Sequence, residues 1–65
     1  MDANMLNGLI LPEDKMMMAV KHEVSGRFIE MLLAGGIASD KLKAARVMKM
    51  MEKVAKENLK QGYTP

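Results

Sequence analysis

Apolar and polar positions recur with a helical period over two long stretches of the chain. In residues 40 to 61, Ala44, Val47, Met48, Met51, Val54 and Ala55 fall on one stripe. In residues 12 to 34, Met17, Val20, Val24, Phe28 and Met31 form another. Pro12 suits a first helical turn, and Glu13 and Asp14 place carboxylates at the positive end of the helix dipole. Gly35 and Gly36 offer a left-handed cap that ends the first helix. Ser39 or Asp40 can cap the second helix, which runs to about Gln61, where Gly62 stops it. Each helix then has about 22 residues and a length of roughly 33 Å. A short turn at 35–39 between helices of equal length predicts an all-α fold, an antiparallel two-helix hairpin. The N-terminal arm, 1–11, can cover one end of the core with Met5, Leu6, Leu9 and Leu11, and 62–65 is a loose tail.

A second apolar line in the first helix contains Met18, Ile29 and Leu32. One hairpin covers both lines poorly, so these three residues predict self-association into a homodimeric four-helix bundle. Ser25-Gly26 falls inside the same helix, where glycine costs about 1 kcal/mol relative to alanine. It marks either a tolerated weak point or a close approach by another backbone.

Composition fits a small chain that gains stability from a partner. The 65 residues form a single domain, and a chain of this size buries only about 60% of its unfolded surface. There is no cysteine and only one histidine, which excludes disulfides and thiolate metal sites. No apolar run approaches the roughly 20 residues of a membrane span. Asp2 stands where a signal peptide would carry basic residues, so the expected location is cytoplasmic. Net charge is +2, a mildly basic balance.

That charge is not evenly spread. Arg46, Lys49, Lys53, Lys56 and Lys60 step by three, four, three and four, which places them on one helical face. The face is centred about 180° from the apolar stripe of the same helix. Glu52 and Glu57 lie beside the line rather than within it, whereas a face built for intrahelical ion pairs mixes the signs. Two readings are open: a solvated surface, or contact with the phosphates of duplex DNA. Stacking on unpaired bases is the weaker version, because Phe28 reads as core and Tyr63 is alone in the tail.

Other features carry less chemistry. Gly35-Gly36 before a helix N-terminus resembles a phosphate cradle, but the spacing is not that of a Walker loop, and a capped turn fits better. His22 lacks a second histidine or a cysteine and reads as a surface or interface residue. The nine methionines could ligate copper or form an adaptable surface, yet most lie on the apolar stripes and read as packing. No nucleophile–base pair, paired carboxylates or cofactor fingerprint is present, so the expectation is a non-enzymatic protein without cofactors.

"LILPEDK" followed by "AVKHEVSGRF", with "GGI" at 35–37 and "VMKMMEKVAKENL" at 47–59, resembles the α/β-type small acid-soluble spore proteins. Lys21, His22, Glu23, Val24, Ser25 and Phe28 occupy places comparable to that family's lysine-aromatic-glutamate-aliphatic cluster. The chain lacks the family's longer middle segment and has histidine where tyrosine is usual. The resemblance implies a non-enzymatic DNA-coating protein, with Lys21, Gly35, Gly36, Lys49 and Lys53 at or near DNA. It also implies a chain largely unfolded without DNA, in tension with the well-formed apolar stripes. The alternative function is a dimeric helical-hairpin interaction module, such as a small phage or bacterial regulator.

Overall fold

The computed structural model describes residues 2 to 64, so positions 1 and 65 of the expected arm and tail lie outside the described residues. Four helices are present: α1 (Ala3–Leu9), α2 (Pro12–Lys21), α3 (Gly26–Leu33) and α4 (Lys41–Lys60). The described residues contain no strand. The fold is all-α.

The single helix expected over 12–34 is two helices. His22 caps the C-terminus of α2, and Glu23 follows at φ 55. The N–H of Val24 then donates to the carbonyl of Ala19 at 3.0 Å, and that of Glu23 to Val20 at 3.3 Å. This is a Schellman closure, with glutamate in the left-handed position that glycine normally occupies. Ser25 restarts the chain as the N-cap of α3, its Oγ accepting from the Phe28 N–H at 3.1 Å. Ser25-Gly26 is therefore a helix start and not a weak point inside a helix. Gly26 meets no atom within 4 Å of a Cβ built on it, which gives no support to close backbone approach.

The break changes which apolar line is inside. With α3 folded back on α2, Met18 and Ile29 are 0% exposed and Leu32 is 6% exposed. The three residues expected to seek a second copy lie in the core of one chain, so they give no reason for self-association. The other line of the expected helix is split, leaving Val20 80% exposed and Met17 partly exposed, while Val24, Phe28 and Met31 are half-buried.

The N-terminal segment is a helix. Asp2 caps α1 by accepting from the Met5 N–H at 2.9 Å, and Leu6, Leu9 and Ile10 are buried. α1 packs against α4 and α3. Asn58 of α4 is buried and ties the junction together: its Nδ2 donates to the Leu9 carbonyl at 2.6 Å and to Asp14 Oδ2 at 3.0 Å. Asp14 Oδ2 also accepts from the Leu11 N–H at 3.1 Å. The Leu9 carbonyl, one of those that a helix end leaves without an intrahelical partner, is satisfied in this way.

α4 is the long element against which the others assemble. Asp40 caps it by accepting from the Lys43 N–H at 3.0 Å, and Gly62 closes its far end at φ 97. Val47, Met51 and Ala55 are fully buried along its inner face, with Ala44, Met48, Met50 and Val54 packed at the edges.

Candidate nucleic-acid interface

All five cations of the expected stripe, Arg46, Lys49, Lys53, Lys56 and Lys60, are exposed. They lie on the side of α4 opposite Val47, Met51 and Ala55, because residues separated by about 100° steps divide into these two sets. From Arg46 to Lys60 the line is about 21 Å long at 1.5 Å per residue. Among the described residues the one ion pair joins Lys15 Nζ to Glu30 Oε1 at 2.8 Å, on α2 and α3. Neither Glu52 nor Glu57 makes an ion pair with any of the five among the described residues.

The turn after α2 adds to this face. Lys21, His22 and Glu23 share one crevice with Lys43 and Arg46 of α4. His22 shares an adjoining crevice of about 330 Å³ with Arg46, Lys49, Met50 and Lys53. Lys21, Lys43, Arg46, Lys49 and Lys53 thus line the junction of the turn with the first half of α4 together with His22, and Glu23 is the acid among the lining residues. Lys56 and Lys60 extend the same line further along the helix.

Two further residues join the five-cation line here. Lys43 precedes Arg46 by three residues on α4 and so neighbours it on the helix surface, half-buried where the α2–α3 turn packs beside it. His22 reads as an isolated residue in a continuous helix and reaches the cations only when that helix breaks.

Gly35 and Gly36 do not belong to the cluster. Gly35, at φ 83, caps α3, and the Gly36 N–H donates to the Met31 carbonyl at 2.9 Å. A Cβ on Gly36 would lie 3.1 Å from that carbonyl oxygen and 2.8 Å from Met31 Sδ, so a side chain there would press on the carbonyl and displace the flexible Met31 thioether. Both line a groove with Lys41, Ala44, Ala45 and Met48, on the other flank of α4 from Lys43, Arg46 and Met50. Of the positions implied by the spore-protein resemblance, the structure brings Lys21, Lys49 and Lys53 to one face and leaves the glycine pair outside it.

The chain matches no family model, no curated protein and no solved structure.

Proposed function

We propose that this is a small non-enzymatic DNA-binding protein that grips the duplex backbone through the outer face of α4 and the adjoining turn, largely without regard to sequence. The observation that carries this reading is the cation line of α4, which makes no ion pair among the described residues, with Lys21 and Lys43 beside it. Such a surface suits a polyanion because each phosphate it neutralises releases a condensed counterion. Its length, about 21 Å, corresponds to roughly six base-pair steps at 3.4 Å, enough for three to five phosphate contacts. The resemblance to the α/β-type small acid-soluble spore proteins points to the same ligand, though a chain folded before it binds departs from that family, and a cytoplasmic location goes with the reading. The test is a titration with mixed-sequence duplex at two salt concentrations, followed by circular dichroism. Binding that weakens steeply with salt and varies little with sequence is the expected result. Binding that is absent at low salt contradicts it.

The built core bears on how the protein would bind. A chain with its apolar residues packed internally is helical before it meets DNA, so helicity should be high in buffer and change little on addition of duplex. Low helicity in buffer that rises strongly with DNA would favour kinship with the spore proteins.

A second reading rests on a separate surface. Ile37 is 89% exposed beside the groove formed by Leu32, Ala44, Ala45 and Met48. A homodimeric interaction module would use this groove, to which Leu32 contributes, and not Met18 and Ile29, which are fully buried. Sedimentation equilibrium at micromolar concentration decides it: twice the chain mass favours the module, and the single chain mass removes it.

A further inference from the structure

The core of this chain lies between its two halves. α1 and α2 pack on α3 and α4 and not on each other. The Asn58 bonds to Leu9 and Asp14 also cross from one half to the other, as does the Lys15–Glu30 ion pair. Residues 22–25 connect the halves, and there Glu23 is held at φ 55, a conformation unfavourable for a side chain. The apolar period of the sequence runs straight through this connection. At 100° per residue, Met17, Val20, Val24, Phe28 and Met31 keep within an arc of about 80° when residues 12–33 form one helix. Met18, Ile29 and Leu32 then share a second face roughly 110° away. In the folded chain the turn divides the first line, and Met17 and Val20 at its start are exposed. The spacing of that line is palindromic: Met17 and Met31 stand seven residues either side of Val24, and Val20 and Phe28 four.

We infer that two copies of this chain exchange halves at the 22–25 turn, straightening α2 and α3 into one helix and meeting along the line from Met17 to Met31. Set antiparallel about Val24, the line matches itself: Met17 faces the partner's Met31, Val20 the partner's Phe28, and Val24 the partner's Val24. The same patch is used on both copies, so the pairing closes at two. α1 and α2 of one copy regain their packing on α3 and α4 of the other, and Met18, Ile29 and Leu32 keep their buried surroundings in two such cores. What changes is the connection. Each Glu23 leaves the left-handed region, each Ser25 gives up its cap, and each Val20 gains a cover. Against this, closure within one chain acts at an effective concentration of the order of millimolar for a short connection. The single chain therefore prevails at micromolar concentration, and the exchanged pair forms near millimolar. The inference is independent of the duplex reading and of the groove beside Ile37.

Because the halves share one core, exchange passes through unfolding. The full chain is therefore refolded from urea at about 10 µM and at about 1 mM before sedimentation analysis. Lys21 and Arg27 flank the seam with like charge, so about 0.5 M salt is present to screen them. The parent should be a single chain at the lower concentration and a dimer at the higher. Ser25→Ala removes a cap that only the turn uses, once in each copy, and should tighten dimerisation about thirty-fold. Glu23→Gly relaxes the turn and weakens the straight helix, and should loosen dimerisation by about as much. A dimer mixed from isotopically distinct chains then identifies the pairing. Leu9 and Asn58, bonded within one chain of the monomer, should show their nuclear Overhauser contact between chains. A dimer that keeps this contact within each chain overturns the exchange, because it pairs whole folded copies. A single chain mass for the parent at about 1 mM and for Ser25→Ala at about 100 µM overturns it too. So does a Glu23→Gly variant that dimerises as readily as the parent. Should Ser25→Ala fail to fold, the parent at the higher concentration and Glu23→Gly decide the question between them.

Discussion

The turn after α2 and the turn after α3 use the same closure built from different residues. In one, the Val24 N–H reaches the Ala19 carbonyl at 3.0 Å; in the other, the Gly36 N–H reaches the Met31 carbonyl at 2.9 Å. The left-handed position between them is Glu23 at φ 55 in the first and Gly35 at φ 83 in the second. Glycine adopts that conformation freely, whereas a side chain there costs roughly 1–2 kcal/mol. The first turn is thus held against its local preference by what it encloses. Met18 and Ile29, on either side of it, are both fully buried. It is also the turn that carries Lys21 and His22 to the cations of α4, so the strained position and the candidate site coincide.

If packing holds the first turn and glycine holds the second, they should respond to different substitutions. The largest effect is expected at Ile29, which is fully buried in the short helix between the turns. Ile29→Ala should destabilise the fold by about 2–5 kcal/mol in urea unfolding. The loss should not depend on protein concentration, because the residue is covered within one chain. A concentration-dependent loss would return Ile29 to an interface between copies.

Gly35→Ala should cost about 1–2 kcal/mol, the strain of a side chain at positive φ. Glu23→Gly should act in the opposite direction and raise stability by up to about 1 kcal/mol, after allowance for the greater freedom glycine gives the unfolded chain. Thermal melts of the two variants beside the parent measure both. Equal destabilisation by the two changes would show that the turns do not differ in the way described. The smallest effect belongs to the exposed face: Lys49→Gln with Lys53→Gln should leave unfolding stability within about 0.5 kcal/mol of the parent.

What the sequence displays follows the same division. Asp40 three residues before Lys43, and Gly62 after Gln61, are ordinary helix punctuation, and the stripe from Ala44 to Ala55 keeps one period throughout α4. The break at 22–25 has no such mark, because glutamate at Glu23 gives no sign of a positive φ. Ser25 is a good cap, but it looks like one only if a helix is already expected to begin there. With the break unseen, Met17 and Val20 line up with Phe28 as a core stripe, and Met18, Ile29 and Leu32 look surplus. Helix α1 is equally hard to see, since "ANMLNGL" is short and contains glycine and two asparagines; its docking is secured by Asn58, distant in sequence. The cation line is legible because it lies within one unbroken helix. His22 is not, because its place depends on the turn.

The salt dependence of duplex binding, compared between the parent and the Lys49→Gln, Lys53→Gln double variant, tests the functional account most directly. If three to five phosphates are neutralised, log affinity should fall against log salt with a slope of about −3 to −4 for the parent. The double variant should bind all duplexes more weakly and show a slope smaller by nearly two, about 0.9 for each lost contact. A double variant that binds as tightly as the parent, with the same slope, would mean that the outer face of α4 is a solvated surface and not a DNA-binding one.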